Sequence, residues 1–317
     1  MTQSSGTPGD GDSRPPEPRF HGPDGPADRD AFQLDKAGVR VAFDRASATY
    51  EPAAVLQSRV AEELLSRLDP FAFNPAVILD LGCGTGRLTA QLKRLYRRST
   101  VIALDIAPGM LREAARHQRF LRRFERICAD AAHLPLQSAS VDILFSNLML
   151  QWCDPLDDAL AEVRRVLKPQ GFFLFTTFGP DTLKELRAAW SQADTHNHVN
   201  RFLDMHDIGD ALVRAGLIEP VLDVDRLQLT YDDALTLMRD LKSIGARNAT
   251  AGRPRSLAGR ARLQHVLTAY ESFRKGGKLP ATYEIVYGAA WGTAGRPASP
   301  PRAGEVRIPA SQIRRRK

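Results

Sequence analysis

A chain of 317 residues and 35.0 kDa has room for one large α/β domain or two ordinary ones. Its 43% hydrophobic and 26% charged residues, with a mean hydropathy of −0.30, exclude collagenous, coiled-coil and wholly disordered classes. Its longest apolar runs, such as Val141 to Leu144 and Gly171 to Phe175, fall far below the roughly 18 residues that span a bilayer.

Residues 1–34 are rich in Gly, Pro, Ser and Asp and poor in apolar side chains, so they cannot bury enough surface to offset ordering and are expected to be a disordered tail. Six acids before residue 31 and the lack of an apolar h-region argue against a secretory signal or transit peptide. Residues 35–70 form a helical cover: Lys36 to Leu68 is expected to make two helices, the first presenting Val39, Val41 and Phe43. The second carries a stripe of Val55, Leu56, Val60, Leu64, Leu65 and Leu68.

From Pro75 the pattern changes to short β-rich runs alternating with helices, the mark of βαβ units and a parallel sheet. Strands are expected at Val77 to Leu81, Thr100 to Asp105, Arg126 to Ala129, Val141 to Ser146 and Phe172 to Phe178. Between them fall helices at Gly86 to Tyr96, Pro108 to Phe120, Pro155 to Leu167 and Asp181 to Ala193, with Pro108 and Pro155 suited to a first helical turn. The Lys168-Pro169-Gln170-Gly171 run should stop a helix and turn into the next strand. Beyond this core (residues 75–178) come a helix at Asp207 to Ala215 and a bent strand at Ile218 to Thr230. A helical insertion (230–278), with helices at Asp233 to Ser243 and Leu257 to Phe273, precedes a last strand at Thr282 to Tyr287. Within the insertion, residues 239–278 hold ten Lys/Arg against Asp240 and Glu271, which asks for an acidic partner. Residues 292–317 are expected to be a second disordered tail, with seven bases against Glu305. Much of the +7 net charge therefore lies in that tail and is no argument for nucleic acid. The whole chain reads as α/β: one doubly wound domain over residues 35–291.

The strongest chemical signal is Ile78-Leu79-Asp80-Leu81-Gly82-Cys83-Gly84-Thr85-Gly86, where a strand gives way to a helix. Alternating glycines allow a tight turn and bring backbone N–H groups close to a ligand. The spacing is Gly-x-Gly-x-Gly, not the Gly-x-Gly-x-x-Gly of dinucleotide enzymes, and the acidic Asp80 before it would repel a pyrophosphate but attract a cation. Asp105, at the end of the second strand, is placed to accept hydrogen bonds from both hydroxyls of a ribose. The three cysteines, Cys83, Cys128 and Cys153, have neither a disulfide framework nor metal-ligand spacing, which points to a reducing cytoplasm and no bound metal.

On these residues, with Cys128-Ala129-Asp130-Ala131 after the third strand, the chain resembles the class I S-adenosylmethionine-dependent methyltransferases. That likeness implies a Rossmann-like seven-stranded sheet and a nucleoside site: Asp80 and the Gly82, Gly84, Gly86 loop against the methionine part, Asp105 on the ribose, Met110 against adenine, Asp130 and Ala131 at the adenine edge, and Asn147 after strand four. The runs Val41 to Tyr50, Asn147 to Cys153, Arg201 to Asp207, Met238 to Asn248 and Thr282 to Gly288 further resemble the malonyl-[acyl-carrier protein] O-methyltransferases of biotin synthesis. In that family the free carboxylate of a malonyl thioester is methylated, with S-adenosylmethionine as co-substrate. The partner implied is a malonyl-bearing acyl carrier protein, or malonyl-coenzyme A, and neither nucleic acid nor membrane. The Met238 to Lys242 run also resembles a mitochondrial complex I assembly factor described as an arginine hydroxylase, and a ubiquinone-type small-molecule methyltransferase is a further alternative.

The chemistry of carboxyl methylation needs no general base, because the nucleophile is ionised at neutral pH. A cation to hold the acceptor carboxylate is still useful, and Arg201, Lys242 and Arg247 are candidates, with Arg201 preferred; each is equally readable as a solvated surface charge. Tyr50, Gln151 and Trp152 are candidates for the acceptor pocket, with core packing the alternative for Tyr50 and Trp152. His196 and His206 are assigned to helix capping or pocket polarity. The basic 239–278 segment, with Arg253, Arg255, Arg260 and Arg262, would suit the acidic helix of a carrier protein.

Overall fold

A computed structural model describes residues 33–292 apart from 72, 195, 197, 247 and 250–258. The two expected tails lie almost wholly outside the described residues. The described residues begin at residue 33, and the Leu34 amide donates to Asp154 Oδ2 at 2.9 Å.

Seven strands form one sheet: β1 (Val77–Leu81), β2 (Thr100–Asp105), β3 (Glu125–Cys128), β4 (Val141–Asn147), β5 (Leu167–Phe178), β6 (Ile218–Tyr231) and β7 (Leu279–Trp291). Their order is β3-β2-β1-β4-β5-β7-β6. The first five are parallel, and β7 runs antiparallel to both β5 and β6. This is the doubly wound α/β sheet expected from the sequence.

Side chains alternate across the sheet with a period of two, so both faces are buried. Ile78, Ile143, Phe145, Phe172 and Leu174 enter one apolar layer. Leu79, Leu144, Phe173 and Phe175 enter the other, against α6 (Leu156–Val166) and α8 (Met205–Arg214). The first layer packs against α3 (Val55–Ser66), α4 (Arg87–Leu95) and α7 (Lys184–Ser191). Helix α5 (Pro108–Arg116) starts on Pro108, whose fixed φ and missing N–H suit a first turn.

The cover consists of three helices where two were expected: α1 (Lys36–Ala46), the single turn α2 (Tyr50–Ala53), and α3. Asp35 caps α1 by accepting from the Gly38 amide at 2.9 Å. Ala54, at φ −84° and ψ 41°, leaves the helical region and separates α2 from α3. Val41 and Val55 do not join the expected stripes: they are 46% and 65% exposed. Val41 lies two residues, about 200° of helical turn, from the buried Val39, so it faces the opposite side.

The insertion before β7 supplies α9 (Ala234–Ser243), capped by Asp233, and α10 (Arg260–Glu271). Two strands exceed their expected length. β7 runs to Trp291 because it hydrogen-bonds neighbours on both sides, and β5 begins at Leu167 because the expected Lys168–Gly171 turn is accommodated as a bulge against β4.

Candidate active site

A cleft opens at the C-terminal ends of β1, β2 and β4, where an open parallel sheet binds ligands. It has two lobes that share Tyr50, Gly82, Gly84 and Asn147. The first, of about 600 Å³, adds Asp80, Cys83, Thr85, Arg87 and, from the cover, Glu51 and Gln57. The second, of about 750 Å³, adds Asp105, Met110, Asp130, Ala131, Trp152 and, from α1, Lys36 and Phe43.

The three loop glycines have three different reasons to be glycine. All have positive φ, at +75°, +54° and +76° for Gly82, Gly84 and Gly86. A Cβ on Gly82 would sit 2.2 Å from Met149 Cγ, and one on Gly86 would sit 2.6 Å from Ala114 Cβ on α5. A Cβ on Gly84 would meet nothing within 4 Å. Gly84 therefore faces the open cleft, whereas Gly86 lines neither lobe and lets α4 approach α5.

Asp80 and Asp105 are both buried, at 1% and 8% exposure. Asp80 Oδ2 accepts from the Thr89 hydroxyl at 2.5 Å, but Oδ1 is buried without a partner among the described residues. Burial, with a smaller push from Asp105, raises the Asp80 pKa to about 7. Asp105 Oδ2 accepts from the Gly84 amide at 2.9 Å and Oδ1 from the Ala107 amide at 2.8 Å. Burial raises its pKa to about 6 against those bonds. Gln57 Oε1 is a second buried acceptor in the first lobe with no partner among the described residues. Such orphaned acceptors suit a cationic or N–H-bearing ligand.

Asp130 lies at the far end of the second lobe, its Oδ1 accepting from the Ala132 amide at 3.0 Å and its Oδ2 3.3 Å from Lys36 Nζ. Asn147 ties the cover to the sheet: Nδ2 donates to the Gln57 carbonyl at 3.1 Å and Oδ1 accepts from Thr176 Oγ1 at 2.8 Å. The Tyr50 phenol, at the junction of the lobes, has its pKa raised by burial and by the Asp105 charge, so it remains a donor. Trp152 meets Phe43 edge-on with ring centroids 5.2 Å apart. Leu148, also in the second lobe, is held at φ +50° by the bonds its amide makes to Thr176.

The expected acceptor residues divide. Tyr50 and Trp152 line the cleft. Gln151 and Arg201 line a separate groove of about 1860 Å³, which meets the second lobe at Cys153. Gln151 Oε1 accepts from Thr177 Oγ1 at 3.1 Å there. Arg201 is exposed and has no carboxylate partner among the described residues. Lys242 is exposed on α9 and lines neither lobe. Arg247 lies outside the described residues. His206 stands at the first turn of α8, its Nδ1 2.6 Å from the capping Asp204 and away from the cleft. His196 is likewise outside both lobes, its amide donating to Asp194. Burial pushes the Cys83 thiol up and that of Cys153 to about 12, so neither is a nucleophile at neutral pH. Lys36, Phe43 and Gln57 were not read from the sequence as residues of the cleft. They reach the cleft only through the packing of the cover.

Residues 79–175 match the family model described as a methyltransferase domain. The chain is 55% identical over 277 residues to the malonyl-[acyl-carrier protein] O-methyltransferase of Methylovorus sp. (strain MP688), covering 86% of this chain and 94% of that one. The chain belongs to the malonyl-[acyl-carrier protein] O-methyltransferase family. A member from Halorhodospira halophila is 47% identical over 290 residues, covering 91% of this chain and 98% of its own length. Among solved structures, the YcgJ protein from Bacillus subtilis aligns with a TM-score of 0.53 at 16% identity, covering 74% of this chain and 99% of its own. That likeness concerns the fold alone and agrees with the seven-stranded sheet of this methyltransferase family member. No helix among its described residues is long and apolar enough to cross a membrane.

Proposed function

We propose that this protein methylates the free carboxylate of a malonyl thioester carried by an acyl carrier protein, with S-adenosylmethionine as co-substrate, at an early step of biotin synthesis. The observation that carries the reading is the near-full-length identity to relatives named for this reaction. The cleft fits the co-substrate: the orphaned Asp80 Oδ1 stands where a cationic ammonium needs an acceptor, and the space beside Gly84 lies open. When bound, S-adenosylmethionine supplies an electrophilic methyl group on a sulfonium.

In this assignment Asp80 and the Gly82 to Gly84 turn hold the amino-acid end in the first lobe. Asp105 accepts from the ribose hydroxyls, and Met110, Asp130 and Ala131 bound the adenine in the second. Gly86 acts by packing the turn. Tyr50 and Asn147, shared by both lobes, frame the point at which donor and acceptor meet. The acceptor carboxylate is already ionised, so no residue has to remove a proton. The work left to the protein is to hold the reacting atoms in line and to exclude water, which the cover helices and the Phe43–Trp152 pair serve. Arg201 is the preferred cation for the acceptor, with Gln151 beside it; a single exposed guanidinium steers the carboxylate without overstabilising the charge that methylation removes. Three unpaired cysteines suit a reducing cytoplasm as the place of action.

The test is rescue of a biotin-requiring strain that lacks this methylation. The wild-type gene is expected to restore growth and an Asp105→Ala variant of equal abundance is not. Growth with both, or with neither, would contradict the assignment.

A further inference from the structure

The structure gathers a positive surface that the sequence scatters over residues 87–122. Arg87 and Arg94 on α4, and Arg116, Arg119 and Arg122 in and beyond the last turn of α5, line one groove of about 1250 Å³. Its carboxylate, Glu51, is taken by His117 Nε2 at 2.6 Å. Arg116 pairs with Glu113, but Arg87, Arg94, Arg119 and Arg122 have no ion pair among the described residues. The groove is continuous with the first lobe of the cleft, since Glu51, Arg87 and Gln91 line both.

At its edge the chain turns sharply, the Arg122 amide donating to the Arg119 carbonyl at 2.8 Å. Phe124 is buried behind this turn, and Gln118 Nε2 donates to its carbonyl at 2.6 Å, so the turn is anchored. Its tip nevertheless presents Phe120 and Leu121 to solvent at 84% and 87% exposure, the two most exposed large apolar side chains among the described residues. Phe120 and Leu121 are flanked in the turn by Arg119 and Arg122, and the Arg123 guanidinium lies 5.8 Å from the Phe120 ring centroid. Exposed apolar side chains beside such cations are a surface for a partner that is itself acidic around an apolar spot.

The basic 239–278 segment offers less. Arg239 lies 3.9 Å from Asp233, Arg262 3.3 Å from Asp194, Arg274 2.6 Å from Glu271 and Lys278 2.5 Å from Asp232. Four of its ten bases are thus neutralised within the chain, Lys242, Arg260 and Lys275 have no ion pair among the described residues, and Arg247, Arg253 and Arg255 lie outside the described residues.

We propose that the acidic helix of the acyl carrier protein docks on the Arg87–Arg94–Arg119–Arg122 groove with Phe120 and Leu121 as its apolar anchor, bringing the thioester arm to the adjoining cleft. This rests on the functional reading above, from which it takes the carrier protein as partner. It places that protein on α4 and the turn after α5 rather than on the insertion. Opposite charge would speed encounter and give it a steep dependence on salt, whereas the apolar tip would fix the register.

The test compares wild type with Arg119→Glu/Arg122→Glu and with Phe120→Ser/Leu121→Ser, all confirmed folded by circular dichroism. The KM for malonyl-carrier protein is expected to rise roughly tenfold or more in each variant and the charge-reversed one to lose the salt dependence, with kcat and S-adenosylhomocysteine affinity unchanged. An unchanged KM would overturn the proposal, as would an equal loss of nucleoside affinity or a loss seen only for a bound nucleic acid. Calorimetric binding of the carrier protein alone is measured in parallel. If wild type binds the carrier and the variants do not, docking stands even where no methyl is transferred, and the functional reading alone falls. If all bind equally, docking falls alone.

Discussion

Asp80 and Asp105 set the pH behaviour of the empty cleft. Each holds its proton more tightly folded than unfolded, with pKa values of about 7 and about 6 against an ordinary 3.8. Well below the unfolded value of 3.8 both states are protonated and the two groups leave stability unchanged. Between about pH 4 and 7 the native state binds more protons, so stability falls as pH rises through that window. Thermal melts of ligand-free protein are expected to show that slope, reduced in Asp80→Asn; a slope unaltered by the substitution would argue against the burial account. Saturation with S-adenosylhomocysteine, whose ammonium prefers the ionised carboxylates, should oppose the slope. At Arg201 the expectation differs. Arg201→Gln removes a charged hydrogen-bond donor and should raise the KM for the malonyl acceptor by the equivalent of about 1.5–3 kcal/mol, while calorimetric nucleoside affinity stays as in wild type. Asp105, at a strand end, could be read from the chain because a strand fixes where its last side chain points, whereas Asn147 came from the family resemblance. Lys36 beside Asp130, and Gln57 above Asn147, could not be read. They are separated by 94 and 90 positions and meet only because the cover folds over the sheet.

Among the elements, the glycine turn separates two effects that its sequence presents as one. Gly84→Ala adds a methyl group to open space but strains a residue at φ +54°, at roughly 1–2 kcal/mol. Gly86→Ala adds comparable backbone strain and also drives α4 against Ala114, for a further ~1–3 kcal/mol. Gly86→Ala should therefore lower Tm more than Gly84→Ala, while Gly84→Ala should lose more nucleoside affinity per unit of stability lost. Melting curves beside calorimetry would reveal the reverse order if the assignment of the two glycines were mistaken. Helix and strand identities were legible because apolar periodicity changes at Pro75 and each βα turn carries Gly, Pro or Asp. The split of the cover into α1, α2 and α3 was not, because Ala54 has no breaking tendency of its own. It leaves the helical region at ψ 41° between two helical turns.

At the scale of the molecule, the parallel core followed from alternating strands and helices, whereas the antiparallel direction of β7 was not read from the sequence. The proposed acidic-partner surface on α4 and the turn after α5 differs from the 239–278 segment that sequence density favours. Ten bases in 239–278 look more concentrated than arginines spread along α4 and α5, but folding pairs four of the former with acids and leaves Arg87, Arg94, Arg119 and Arg122 of the latter without an ion pair among the described residues. Charge along a chain and charge on a surface differ by what folding places opposite each group. The central claim is that the cleft delivers a methyl group to a carboxylate, and intact-mass spectrometry of malonyl-acyl carrier protein incubated with the enzyme and S-adenosylmethionine tests it most directly. The account predicts the gain of one methyl group on the malonyl arm, with monomethyl malonate recovered when the thioester is cleaved. A carrier protein of unchanged mass, from an enzyme that has taken up the donor and methylates a quinol instead, would contradict it.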